Sequence, residues 1–222
     1  MASPVLSAEA GLGQSVGTLA FQTATQSVVV AGQKLKFARC DALTEPDQTV
    51  WQVGSSPHGI NLVATCPKAQ LFALSERTLE PRIYVFSYPD MLQRMALELS
   101  TELNPEETPP LEWTALAFSR SGEQLAALSG LPEPTLVVWS LKTQSVLASG
   151  PLLVPSAGLA FDPMSEGSLC SMSAKRLLVW SLKLVYKTYM LDSVEVSSTA
   201  LIHPLLLARL HALTPPPNRL SN

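Results

Sequence analysis

The run Leu116-Ala-Phe118-Ser119, Glu123-Gln-Leu-Ala-Ala-Leu-Ser129, Thr135-Leu-Val-Val-Trp139-Ser140-Leu141 holds three short apolar strands separated by a turn and a gap. Its strands are rich in Val, Leu, Phe and Trp, the residues that suit a pleated, half-buried surface. The same plan recurs downstream as Leu159-Ala-Phe161-Asp162-Pro163, Ser168-Leu-Cys-Ser-Met-Ser173, Arg176-Leu-Leu-Val-Trp180-Ser181-Leu182. It recurs upstream as Leu62-Val-Ala-Thr-Cys66-Pro67, Gln70-Leu-Phe-Ala-Leu-Ser75, Arg82-Ile-Tyr-Val-Phe86-Ser87. A fainter copy lies further upstream in Leu19-Ala-Phe21, Ser27-Val-Val-Val-Ala31 and Lys34-Leu-Lys-Phe37, with Thr49-Val-Trp51 as its fourth strand.

Trp139 and Trp180 stand 41 residues apart, and Phe118 and Phe161 stand 43 apart. Phe86 and Trp139 are 53 apart, because the acidic, proline-rich insert Ser100–Pro110 falls between them. A period of ~40–45 residues with four short strands is that of a β-propeller blade. One four-stranded blade cannot bury both of its faces, and radial stacking covers them while keeping the edges short. The reading is therefore all-β: a partial WD40-like β-propeller of about four blades plus the start of a fifth, with a short C-terminal helix. The third-strand aromatics Phe86, Trp139 and Trp180 are expected to fill the space between blades. The small residues ahead of them, Ala73, Ala126, Ala127 and Ser171, are expected to let the inner strands crowd the axis. The usual Gly-His pair is missing and the Trp-Asp ending is replaced by Trp139-Ser140, Trp180-Ser181 and Phe86-Ser87. The buried Asp-His-Ser/Thr-Trp network of strong blades is therefore not assumed, and apolar packing is expected to hold the units.

The expected boundaries are a flexible leader at 1–13, blades at 14–57, 58–98, 111–150 and 156–192, and a partial blade from 194 within a propeller region ending at 204. A divergent tail follows at 205–222. Ser198-Thr-Ala-Leu-Ile-His203-Pro204 echoes a first strand, after which the chain turns leucine-rich with no further strand pattern. Pro204 at a first helical position and Pro215-Pro-Pro217 beyond suit a short helix. An open array leaves strand edges unpaired, so a short form of a longer propeller protein, or closure by a partner, is expected.

The runs Leu79-Glu-Pro81-Arg82-Ile83-Tyr84-Val85-Phe86-Ser87-Tyr88-Pro89 and Leu131-Pro132-Glu133-Pro134-Thr135-Leu136-Val137-Val138-Trp139 resemble the cilia- and flagella-associated WD-repeat proteins, most closely a large axonemal dynein-tether member. The resemblance covers roughly residues 14–204. It implies a component of the axoneme of motile cilia and sperm flagella, with roles in cilium assembly and sperm motility. In that family, paired WD-repeat proteins tether inner-arm dynein heads to doublet microtubules. Family members are longer, with two propellers and a coiled-coil tail, and this chain shows no heptad run. The resemblance carries over no catalytic residue.

Hydrophobic residues make up 46% of the 222 and charged residues 15%, a balance that suits a buried core rather than disorder. The net charge of −3, from 15 basic and 18 acidic residues, sets up no strong field, so a nucleic-acid or anionic-membrane surface is not expected. No apolar run approaches the roughly 20 residues that span a bilayer, so membrane insertion is not expected. Eighteen prolines against eleven glycines point to interrupted strands rather than long helices. Three dispersed cysteines, Cys40, Cys66 and Cys170, and the lack of a basic-then-apolar leader suggest a reducing compartment.

No constellation of nucleophile, base and orienting group emerges, so no catalytic, cofactor-binding or metal residues are expected. Gly11-Leu-Gly13-Gln-Ser-Val-Gly17 lacks both the nucleotide-loop spacing and a preceding strand. His203 and His211 are eight apart, and His58 is distant, so a zinc site is not expected. Cys66 and Cys170 read as small buried hydrophobes. Glu106 and Glu107, in the insert, read as a solvated loop or as a contact loop for a basic partner patch. Lys34, Lys36 and Arg39, and Lys175-Arg176, Lys183 and Lys187, read as solvent-facing edge protection, with docking on acidic tubulin as the functional alternative. The function expected is a non-catalytic protein-interaction scaffold in the cytoskeleton of the cilium. Its expected partners are a second axonemal WD-repeat protein, dynein components or tubulin. The alternative is an adaptor in a cytosolic trafficking or ubiquitin-ligation complex.

Overall fold

The structure is a computed structural model that describes residues 19–23, 26–31, 33–39, 49–52, 59–79, 81–99 and 110–196. The leader, Cys40, the three histidines, Ser100–Pro109 with its two glutamates, and everything from residue 197 lie outside the described residues. So do the expected C-terminal helix and the expected fifth unit, apart from residues 194–196, which end the last described strand.

The described strands form four antiparallel sheets, each with its four strands in chain order. Sheet 1 holds β1 (Leu19–Thr23), β2 (Gln26–Ala31), β3 (Lys34–Arg39) and β4 (Thr49–Gln52). Sheet 2 holds β5 (Ile60–Cys66), β6 (Leu71–Glu76), β7 (Ile83–Ser87) and β8 (Gln93–Leu97). Sheet 3 holds β9 (Trp113–Phe118), β10 (Gln124–Ser129), β11 (Thr135–Ser140) and β12 (Ser145–Pro151). Sheet 4 holds β13 (Gly158–Asp162), β14 (Ser165–Met172), β15 (Leu177–Val185) and β16 (Thr188–Val196). The first strands β1, β5, β9 and β13 are neighbours in that order, so the sheets fan out from a common axis. This is a partial WD40-like β-propeller.

Strand alternation puts each sheet's two faces against different neighbours. Phe72, Leu74 and Phe86 of sheet 2 pack with Val28, Leu35 and Phe37 of sheet 1. The opposite face of sheet 2, with Ala73, Ile83 and Val85, packs with Leu125, Val137 and Trp139 of sheet 3. The other face of sheet 3, with Ala126, Leu128 and Val138, packs with Leu169 and Trp180 of sheet 4. Phe86, Trp139 and Trp180 are thus the plugs between blades, each pointing back at the preceding sheet and no more than 5% exposed.

The small residues lie on the second strands β6, β10 and β14 rather than on the axis-lining first strands. Ala127 and Ser171 sit beside Trp139 and Trp180 of their own sheets, but Ala73 and Ala126 face the following sheet. Ala73 shares its cluster with Trp139 of the following sheet, and Ala126 shares its cluster with Trp180. Room is needed there because the next blade's indole occupies it. Gly150 on β12 plays the same part, with the Trp180 ring 3.1 Å from where a Cβ would sit.

The two tryptophans differ in one bond. Trp180 Nε1 donates to Ser171 Oγ at 2.9 Å, both buried. By register (Leu125↔Trp139 against Leu169↔Trp180) the matching position in sheet 3 is Ala127, and Trp139 Nε1 has no partner among the described residues. A buried unpaired N–H costs about 1–3 kcal/mol. Ala127→Ser is therefore expected to stabilise the chain by about 1 kcal/mol, and Ser171→Ala to destabilise it by about 1–2 kcal/mol. Urea unfolding of the two variants measures both signs.

Candidate protein-interaction surface

A four-stranded meander has two ends. The turns from first to second and from third to fourth strand lie at one end. The turns from second to third strand, and the crossings to the next sheet, lie at the other.

At the first end, the inner turns of successive sheets are stapled together. The Cys66 thiol donates to the Ser119 carbonyl at 3.7 Å. Arg120 Nη1 donates to the Pro163 carbonyl at 3.0 Å. Glu166 accepts from the Ser121 N–H at 2.8 Å and from the Ser121 hydroxyl at 3.0 Å. Burial pushes the Glu166 carboxyl up, but hydrogen bonds from the Ser119 hydroxyl and from Ser121 outweigh it and hold the group below its ordinary value. A carboxylate lowered on folding adds stability that is full above the ordinary glutamate pKa of about 4.3 and is lost as pH falls through the lowered value. The native chain is expected to melt above Glu166→Gln at neutral pH, and the gap to close as the solution is acidified below the carboxylate range. Thermal melts across pH check this.

A second kind of latch lies near the other end of the inner strands. Asn61 Nδ2 on β5 donates to the Trp113 carbonyl at 2.6 Å. Thr114 Oγ1 on β9, at the matching position, donates to the Ser156 carbonyl at 2.7 Å, so sheets 2, 3 and 4 are gripped by one repeated bond. Trp113 Nε1 also donates to the Pro81 carbonyl at 2.7 Å. With both ends of the inner strands tied, the loops between them stand on a rigid frame.

This second end also carries apolar side chains in water. Leu79 and Leu153 are each 82% exposed, Leu131 is 61% and Leu111 is 53% exposed. Leu79 and Leu131 lie in second-to-third-strand turns, and Leu111 and Leu153 in crossings to the next sheet. The Leu111 N–H donates to the Leu131 carbonyl at 3.2 Å, bringing those two loops together. Exposed apolar side chains on the loops of a rigid scaffold suit a protein contact surface, and the first end carries its own in Leu92, Met164 and Tyr186. Residue pattern alone does not mark the leucines as a surface, although Leu79-Glu-Pro81 and Leu131-Pro-Glu-Pro134 both set a leucine outside the strand pattern beside prolines.

The other residues singled out from the sequence are dispersed. Cys66 is buried and Cys170 half-buried, and burial pushes both thiols up. Lys183 lies mid-strand and pairs with Asp192 at 2.8 Å, and Arg176 pairs with Glu195 at 3.6 Å. Lys34 is exposed at the start of β3 and Lys187 at the β15–β16 turn, far apart in the chain. Among the described residues there is no group of three or more His, Cys, Asp or Glu that could hold a metal ion. No helix there is long and apolar enough to cross a membrane.

The chain is 27% identical over 129 residues to cilia- and flagella-associated protein 43 of Xenopus laevis, covering 58% of this chain and 8% of that protein. It is 29% identical over 126 residues to the Mus musculus protein of the same name, covering 56% of this chain and 7% of that one. Cilia- and flagella-associated protein 44 of Mus musculus is 21% identical over 138 residues, covering 62% of this chain and 7% of its own length. The chain is thus similar to cilia- and flagella-associated WD-repeat proteins. It spans less than a tenth of the length of these relatives. No family model matches. Among solved structures, "KlHsv2 with loop 6CD replaced by a Gly-Ser linker" is similar with a TM-score of 0.58 at 14% identity, covering 84% of this chain and 73% of that one, which bears on the fold alone.

Proposed function

We propose that this chain is a non-catalytic scaffold of the ciliary or flagellar axoneme, and that the leucine-bearing end of its propeller grips other axonemal proteins. The observation that carries the reading is the set Leu79, Leu111, Leu131 and Leu153, all more than half exposed at one end of a latched frame. The names of the similar proteins supply the ciliary setting. The acidic insert at 100–110 directly precedes Leu111 in the chain, and its charge favours a basic patch on the partner. A second WD-repeat protein or a dynein component fits such an apolar and acidic surface better than acidic tubulin does.

A tagged full chain expressed in multiciliated cells tests this. The expected result is ciliary localisation and co-purification of axonemal proteins. Leu79→Asp, Leu111→Asp, Leu131→Asp and Leu153→Asp together are expected to cut that capture at least tenfold while leaving far-UV circular dichroism unchanged. Unchanged capture would remove this end from the mechanism, and a cytosolic location with trafficking or ubiquitin-ligase partners would overturn the ciliary reading.

A further inference from the structure

The free face of sheet 4 repeats a face that is buried elsewhere. On sheet 3, Ala126, Leu128, Leu136 and Val138 point at the following sheet and are wholly buried. Register places Cys170, Met172, Leu177 and Val179 at the matching positions of sheet 4. There Met172 is 57% exposed and Val179 is 38% exposed. Val179 pairs with Val194, and Lys183 with Met190, so β16 extends the patch with two more exposed apolar side chains. The ion pair Lys183–Asp192 bounds it on the same face. Water against such a surface is unfavourable, and the alternation along β14 and β15 suits it to be covered.

We propose that the chain's own leucine-rich segment Thr199–Leu213 docks on this face. Three observations single out that occupant. The chain leaves sheet 4 at Val196, which pairs with Leu177 at the margin of the patch and lies on the same face. Ten of the fifteen residues from Thr199 to Leu213 are Ala, Ile or Leu, and Arg209 alone is charged among Asp, Glu, Lys and Arg. The reach suffices, since four strands at about 4.8 Å spacing need less chain than fifteen residues at up to about 3.3 Å each can supply. The opening Thr199-Ala-Leu-Ile-His203-Pro204 also echoes the first strands of the other sheets, of which Leu159 and Phe161 pack against the equivalent cluster. This proposal stands apart from the ciliary reading and does not depend on it.

Cys170 is a native reporter on the patch. In the full chain carrying Cys40→Ser and Cys66→Ala, the rate of Cys170 alkylation by N-ethylmaleimide measures cover. The expected result is at least a tenfold slower reaction than in the same chain with Leu205→Asp, Leu206→Asp and Leu207→Asp, at unchanged circular dichroism. A cysteine placed singly at Leu201, Leu205, Leu206, Leu207 or Leu210 is expected, for at least one of the five, to form an intramolecular disulfide with Cys170 under mild oxidation. Equal alkylation rates overturn the proposal. So does protection that rises with protein concentration alongside bridges formed only between two chains, which would assign the face to a second copy.

Discussion

Trp139→Ala is expected to destabilise the chain by about 3–5 kcal/mol, the cost of deleting a large aromatic from a packed core. Trp139 is 1% exposed and sits between sheets 2 and 3 with Ala73, Val85 and Leu125. Its ring meets Trp113 edge-on at 5.5 Å and 73°. Removing it opens a void shared by two sheets, and neither can close it without moving the latch between Asn61 and Trp113. Trp139→Phe is expected to fall within about 1 kcal/mol of the native chain, because the lost ring area is offset by removing an unpaired buried N–H. Phe86 already fills the equivalent place between sheets 1 and 2. Urea unfolding followed by far-UV circular dichroism distinguishes the pair. A loss under 1 kcal/mol for the alanine variant would mean that the sheets do not pack through this residue.

Gly122→Ala is the second large effect expected, at about 2–4 kcal/mol from two separable causes. Gly122 has φ +79°, a conformation that side chains other than glycine rarely adopt. An added Cβ would also collide with the Ala69 Cβ in the neighbouring sheet's turn and lie 3.2 Å from Cys66 Sγ at the end of β5. Ala69→Gly in the same chain removes the first collision but not the backbone strain, so it is expected to restore about half of the loss. Thermal melts of the single and double variants measure the division. Full rescue would assign the whole effect to the contact between sheets.

The second and third strands were legible because both of their faces are buried, so their apolar residues run nearly unbroken. Leu125–Ser129 and Leu136–Trp139 show this most plainly. Aromatic residues followed by serine at Phe86, Trp139 and Trp180 then set the period. The outer strands were less legible for the same reason. Gln93–Leu97 and Thr188–Val196 are largely exposed and carry little apolar alternation. The direction in which two of the small residues work was also hidden, since Ala73 and Ala126 make room for side chains 66 and 54 residues further along. Of the candidate surface, the sequence pointed to the acidic insert and the basic groups. The leucines that the fold gathers at one end were not apparent, because a leucine in a turn reads as core until the strands around it are placed. The bonds from Asn61 and Thr114 were equally hidden, because each ends on a backbone carbonyl and leaves no paired residue type to notice.

That repeated bond gives the array a direction. Asn61 reaches forward to sheet 3 and Thr114 reaches forward to sheet 4, yet the corresponding residue in sheet 4 is Ala157, whose side chain has nothing to donate. The relay therefore ends at the fourth sheet. Whatever covers that face lacks this bond, so its seating rests on the apolar patch and the Lys183–Asp192 pair at its margin rather than on the latch that ties sheets 2, 3 and 4.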